Sequence, residues 1–75
     1  MVAQAYIKDR NAVERLNQVA SQQMFDMSVS CGNAIVDAKS LLALFEFIGK
    51  KVYIVAPDEL DPRYFMKIVK KMKLA

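Results

Sequence analysis

The sequence predicts an α+β open-faced sandwich in the order βαββαβα, with one four-stranded antiparallel sheet covered on one side by three helices. Three observations lead there. Segments whose apolar residues recur at every second position alternate along the chain with segments whose apolar residues recur at helical spacing. Gly32-Asn33 stands between two strand-like segments, the signature of a tight hairpin and hence of antiparallel pairing. The 75 residues suit one domain, and only two glycines and two prolines leave little room for linkers.

Val2 to Ile7 holds enough apolar and β-favouring residues for a short first strand. Lys8 to Asn11 makes a polar break in which Asp9 or Asn11 can cap a helix, and Glu14 follows Asn11 at capping-box spacing. Ala12, Val13, Leu16, Val19 and Ala20 then repeat on one face of an amphipathic helix of roughly three turns. From Met24 to Cys31 the period changes to two: Phe25, Met27, Val29 and Cys31 alternate with Asp26, Ser28 and Ser30, which reads as a half-buried strand. The hairpin turn leads into Ala34–Asp37, and Ser40 offers a hydroxyl N-cap to Leu41–Ile48, with Gly49 placed to end that helix in the left-handed conformation. Lys50 and Lys51 lead into Val52–Ala56, a β-branched central strand closed by Pro57. Asp61-Pro62 then supplies an N-cap followed by proline at the first helical position. Phe65, Ile68, Val69 and Met72 fall on the buried stripe of this last helix, and Arg63, Lys67, Lys70, Lys71 and Lys73 fall elsewhere on it. Val29, Val36, Leu44, Ile54, Phe65 and Ile68 are the expected core.

The second helix is apolar nearly all round. One buried face cannot use all of Leu41, Leu42, Leu44, Phe45, Phe47 and Ile48, so two or three of these side chains are expected at the surface.

Composition narrows the function. The content of 55% hydrophobic and 25% charged residues is that of a compact folded domain. Cys31 is the single cysteine and cannot form an internal disulfide, so a cytoplasmic protein is the default expectation. No signal peptide is apparent, and no stretch approaches about 18 uninterrupted apolar residues, so no membrane span is expected. One cysteine and no histidine leave little from which to build a transition-metal site, and no cofactor is expected. The net charge of +3 is mildly basic.

The element order, and above all VDAKSLLALFEFIG followed by KKVYIVAP and a C-terminal amphipathic helix, resembles HPr, the histidine-containing phosphocarrier of the bacterial sugar phosphotransferase system. The resemblance covers most of the chain, and its best local signal is Ala38-Lys39-Ser40 followed by Leu-Leu-x-Leu. It implies the same sandwich fold. It does not carry the activity, because HPr-like carriers accept phosphate on a histidine in a glycine-histidine-x-arginine-proline stretch that opens the first helix. This chain has no histidine. An ungapped comparison puts Asp9 at the histidine position and Asn11 at the arginine position, with the first strand running almost directly into the helix.

Five residues are singled out. Asp9 reads as a helix cap in the place of the histidine, although a carboxylate is also able to form an acyl phosphate. Ser40 matches the serine that an ATP-dependent kinase phosphorylates in regulated HPr-like proteins; its plain reading is an ordinary cap. Leu41, Leu42 and Phe45 match positions that face solvent and dock partner proteins in that family; the plain alternatives are packing under a loop or in a homodimer.

The leading expectation is a non-catalytic HPr-like module that binds a phosphotransferase-system or other regulatory protein through its second helix, with Ser40 as a candidate phosphorylation site. A variant phosphocarrier using Asp9 or Ser40 is the second reading. A nucleic-acid or anionic-surface binder using the C-terminal lysines is the third; their position opposite the apolar stripe favours a plain solvated face.

Overall fold

A computed structural model describes residues 1–74. The elements are β1 (Val2–Tyr6), α1 (Arg10–Ser21), β2 (Ser28–Cys31), β3 (Ala34–Asp37), α2 (Leu41–Leu44) with a 3-10 turn at Phe45–Phe47, β4 (Lys51–Val55) and α3 (Pro62–Met72). The four strands form one sheet in the order β1-β4-β2-β3, antiparallel throughout. The fold is thus the α+β sandwich that the alternation of periods predicts.

Period-two alternation determines which face the helices cover. Ala3, Ile54, Val29 and Val36 lie side by side across the sheet, and Ile54 and Val29 are fully buried. The next row, Gln4, Tyr53, Ser30 and Ile35, points the other way, and Gln4, Tyr53 and Ile35 are exposed. All three helices therefore pack on the first face and leave the second to solvent. Of the expected core, Val29, Leu44, Ile54, Phe65 and Ile68 are buried. Val36 is half-buried against the same cluster, because β3 is an edge strand with the sheet on one side only.

The hairpin turn takes the form its residues favour. Gly32 has φ of 58° while Asn33 keeps negative φ, the pattern of a type II′ turn with glycine at its first central position. Gly49 ends the second helical segment at φ of 83°, as expected.

Several boundaries differ from expectation. β2 starts at Ser28, not near Met24, because its neighbour β4 pairs no further than Val55 opposite Ser28, and on the other side only Ala38 N–H still reaches the Met27 carbonyl, at 2.9 Å. The residues before it are held by α3: Tyr64 donates its hydroxyl to Gln23 Oε1 at 2.9 Å, and the Phe25 ring meets the Tyr64 ring edge-on at 6.4 Å. Alternation survives without the ladder, since Met27 is buried and Asp26 exposed. The second helix is one α-helical turn that tightens into a 3-10 turn, not a helix through Ile48. Gly49 N–H donates to the Ile7 carbonyl at 2.6 Å and Ile7 N–H to the Lys50 carbonyl at 3.1 Å, which pulls the chain into the sheet before a longer helix can develop.

Candidate functional site

Two places correspond to the residues the sequence singles out: the start of α1 and the start of α2.

At the start of α1, Asp9 is the N-cap. Its backbone is extended, and Oδ1 accepts from Ala12 N–H at 2.9 Å. Asn11 lies inside the helix, so the alternative cap at Asn11 with Glu14 as its capping-box partner is replaced: Glu14 instead approaches Arg10, at 3.5 Å. The cleft beside this cap, about 390 Å³, is lined by Tyr6, Lys8, Asp9, Asn11, Arg15 and Lys73 among others. The cations surrounding it would attract an anion, but the helix N-terminus already has one in the Asp9 carboxylate, which takes the place an incoming phosphate would occupy. Arg15 is also engaged elsewhere. Its Nε donates to the Met72 carbonyl at 3.1 Å and Nη2 to the Lys73 carbonyl at 3.2 Å, where α3 ends. No local signal in the sequence around Arg15 identifies a tether to a segment 57 residues away.

At the start of α2, Ser40 holds the N-cap position in an extended conformation, but its side chain makes no capping hydrogen bond. The expected hydroxyl cap is therefore absent. The turn is closed by Asp37, whose Oδ1 accepts from Lys39 N–H at 2.9 Å and whose carbonyl accepts from Ser40 N–H, also at 2.9 Å. Asn17 on α1 fastens the same turn by donating Nδ2 to the Ala38 carbonyl at 3.2 Å. Ser40 is left exposed at the head of the segment.

The three apolar residues proposed for docking do not share one environment. Leu42 is 80% exposed and Leu41 36% exposed. Phe45 is half-buried against the core, and the Arg10 guanidinium stands 5.8 Å from its ring centroid. Ile48, which the docking set omitted, is more exposed than Phe45. The surplus apolar residues are therefore at the surface in the expected number, with Ile48 rather than Phe45 as the third.

On α3, Lys67, Lys70, Lys71 and Lys73 are all exposed, and none is within ion-pair distance of an acid among the described residues. Cys31 is half-buried. Among the described residues no three His, Cys, Asp or Glu side chains come together, and no helix is long and apolar enough to cross a membrane. No family model matches the chain, and no curated protein matches it.

Proposed function

We propose that this protein is a non-catalytic HPr-like module that docks a protein partner, a phosphotransferase-system or other regulatory protein, through α2. The observation that carries the reading is Leu42, a large apolar side chain 80% exposed at the head of a short helical segment, with Leu41 partly exposed beside it in sequence. Neither folding nor a local hydrogen bond requires a leucine there. The pinned turn at Asp37, Ala38 and Asn17 gives the segment a fixed place on the domain, which limits the ordering that binding would have to impose. Ser40 adds a regulatory element to the same surface: it is exposed and its hydroxyl is not committed to a cap, so a kinase could reach it, and phosphate there would put negative charge next to Leu41 and Leu42.

Titration of the purified protein with the histidine-phosphorylating enzyme of the phosphotransferase system, and with the serine kinase that acts on HPr, tests the reading. Leu42→Lys should weaken binding by about 2 kcal/mol, roughly thirtyfold, without altering the thermal melt. Lack of binding by the wild-type chain, or equal binding by the variant, rejects it.

The variant-carrier reading draws on the cation-lined cleft beside Asp9. Labelled phosphoenolpyruvate with the phosphotransferase enzymes tests it at Asp9, and labelled ATP with the serine kinase tests Ser40. The capping bond from Ala12 to Asp9 weighs against the first, because phosphorylation of that carboxylate would compete with the bond that starts α1.

A further inference from the structure

We infer that the outer edge of β1 is a self-association edge, at which two copies of this chain pair β1 with β1 antiparallel about a two-fold axis at Gln4 and join their sheets into one. β1 is the outermost strand beside β4. Ala56 N–H donates to the Met1 carbonyl at 2.9 Å and Ile7 N–H to the Lys50 carbonyl at 3.1 Å. Because the inward-facing residues of an antiparallel strand alternate, Met1, Ala3, Ala5 and Ile7 turn their backbone groups to β4, while Val2, Gln4 and Tyr6 turn N–H and C=O outward. No turn, loop or side-chain hydrogen bond among the described residues uses those outward groups.

Nothing in the strand blocks a partner. Val-Ala-Gln-Ala-Tyr has no charged residue and no proline, and its pairing with β4 runs from Val2 to Tyr6 without a bulge, so the usual protections of an exposed edge are missing. The opposite edge is different. β3 is a residue shorter, carries the charge of Asp37, and has the Asp37 carbonyl already bonded to Ser40 N–H.

The strand is also complementary to itself. With Gln4 opposite Gln4, Val2 of each copy stands opposite Tyr6 of the other. On the solvent face this makes two aromatic to β-branched pairs from side chains that are 60% and 39% exposed in the single chain. On the helix face Ala3 meets Ala5, and two methyl groups allow close approach.

Sedimentation equilibrium across a micromolar to millimolar series tests the edge. The wild-type chain should dimerise. Gln4→Lys and Gln4→Glu keep an exposed side chain on the solvent face, and each places like charges directly across the axis; each should weaken self-association about fivefold or more. An equimolar mixture of the two should recover the dimer as a mixed species. Ile35→Lys, on the opposite edge, should leave association unchanged. A wild-type chain that stays monomeric at millimolar concentration overturns the inference. So does a dimer that survives both Gln4 substitutions, one that the mixture fails to restore, or one that Ile35→Lys abolishes.

Discussion

Arg15 Nε donates to the carbonyl oxygen of Met72 at 3.1 Å, so a side chain in the middle of α1 closes the last turn of α3. The carbonyls at a helix C-terminus lack intrahelical partners, and a cation there satisfies them and complements the negative end of the dipole. Arg15→Ala should lower stability by about 1 to 2 kcal/mol in urea titration. Arg15→Lys should recover only part of it, because an ammonium lacks the planar fork that reaches both Met72 and Lys73. Wild-type stability in Arg15→Ala would mean that the tether contributes nothing.

The same helix ends on a strained residue. Lys73 is the C-cap at φ of 52° and ψ of 45°, the single non-glycine residue with positive φ among those described. A side chain there costs about 1 to 2 kcal/mol relative to glycine. Lys73→Gly should therefore raise the denaturation midpoint by an amount equivalent to about 1 kcal/mol, even though it removes a surface charge. A fall in stability would show that the lysine side chain matters more than its backbone.

The two helix starts should respond differently to alanine. Asp9→Ala removes the acceptor for Ala12 N–H and should cost about 1 kcal/mol. Ser40→Ala removes no capping bond and should change stability by less than about 0.5 kcal/mol, while Asp37→Ala, which opens the turn before α2, should cost more than Ser40→Ala. Equal losses at Asp9 and Ser40 in thermal melts would contradict this division.

Two leucines on one turn separate core from surface. Leu44 is fully buried, and Leu44→Ala should cost about 2 to 5 kcal/mol through lost contact and a residual cavity. Leu42→Ala should cost less than about 0.5 kcal/mol in folding. Chemical denaturation of both variants checks the assignment, and a large loss at Leu42 would withdraw it from the docking surface.

Asp58 sets an acid dependence. The hydrogen bond from the Met1 ammonium, reinforced by its charge, holds the Asp58 carboxyl below its ordinary value of 3.8. A carboxyl depressed in the folded state contributes stability that is complete above the unfolded value and fades as pH falls through the folded one. Wild type and Asp58→Asn should thus converge in stability as pH drops below about 4 and separate above it. Parallel curves over that range would remove the contribution. Because the Asp58 carboxylate stands almost fully exposed, added salt should shrink the separation.

Much of this molecule was legible in its residues, because the signals were local. Alternation from Phe25 to Cys31 marked a buried and a polar face of the sheet, Gly32-Asn33 marked the hairpin turn and Gly49 the end of the second helical segment, and Asp61-Pro62 announced α3. The surplus of large apolar residues after Ser40 was likewise visible as a count.

Tertiary structure decided what depends on partners distant in sequence. Phe45 is half-buried and Ile48 exposed because Arg10 and the core cover the one, while the bond from Gly49 to Ile7 turns the chain out of the helix at the other. The same tether shortens α2, and the end of pairing between Ser28 and Val55 shortens β2. Ser40 has a capping side chain by type, yet Asp37 closes the turn first, and Arg15 finds its acceptors on a helix from the far end of the sequence. Propensity and periodicity act over a few residues, whereas a hydrogen bond between segments is fixed only once packing has brought both ends together.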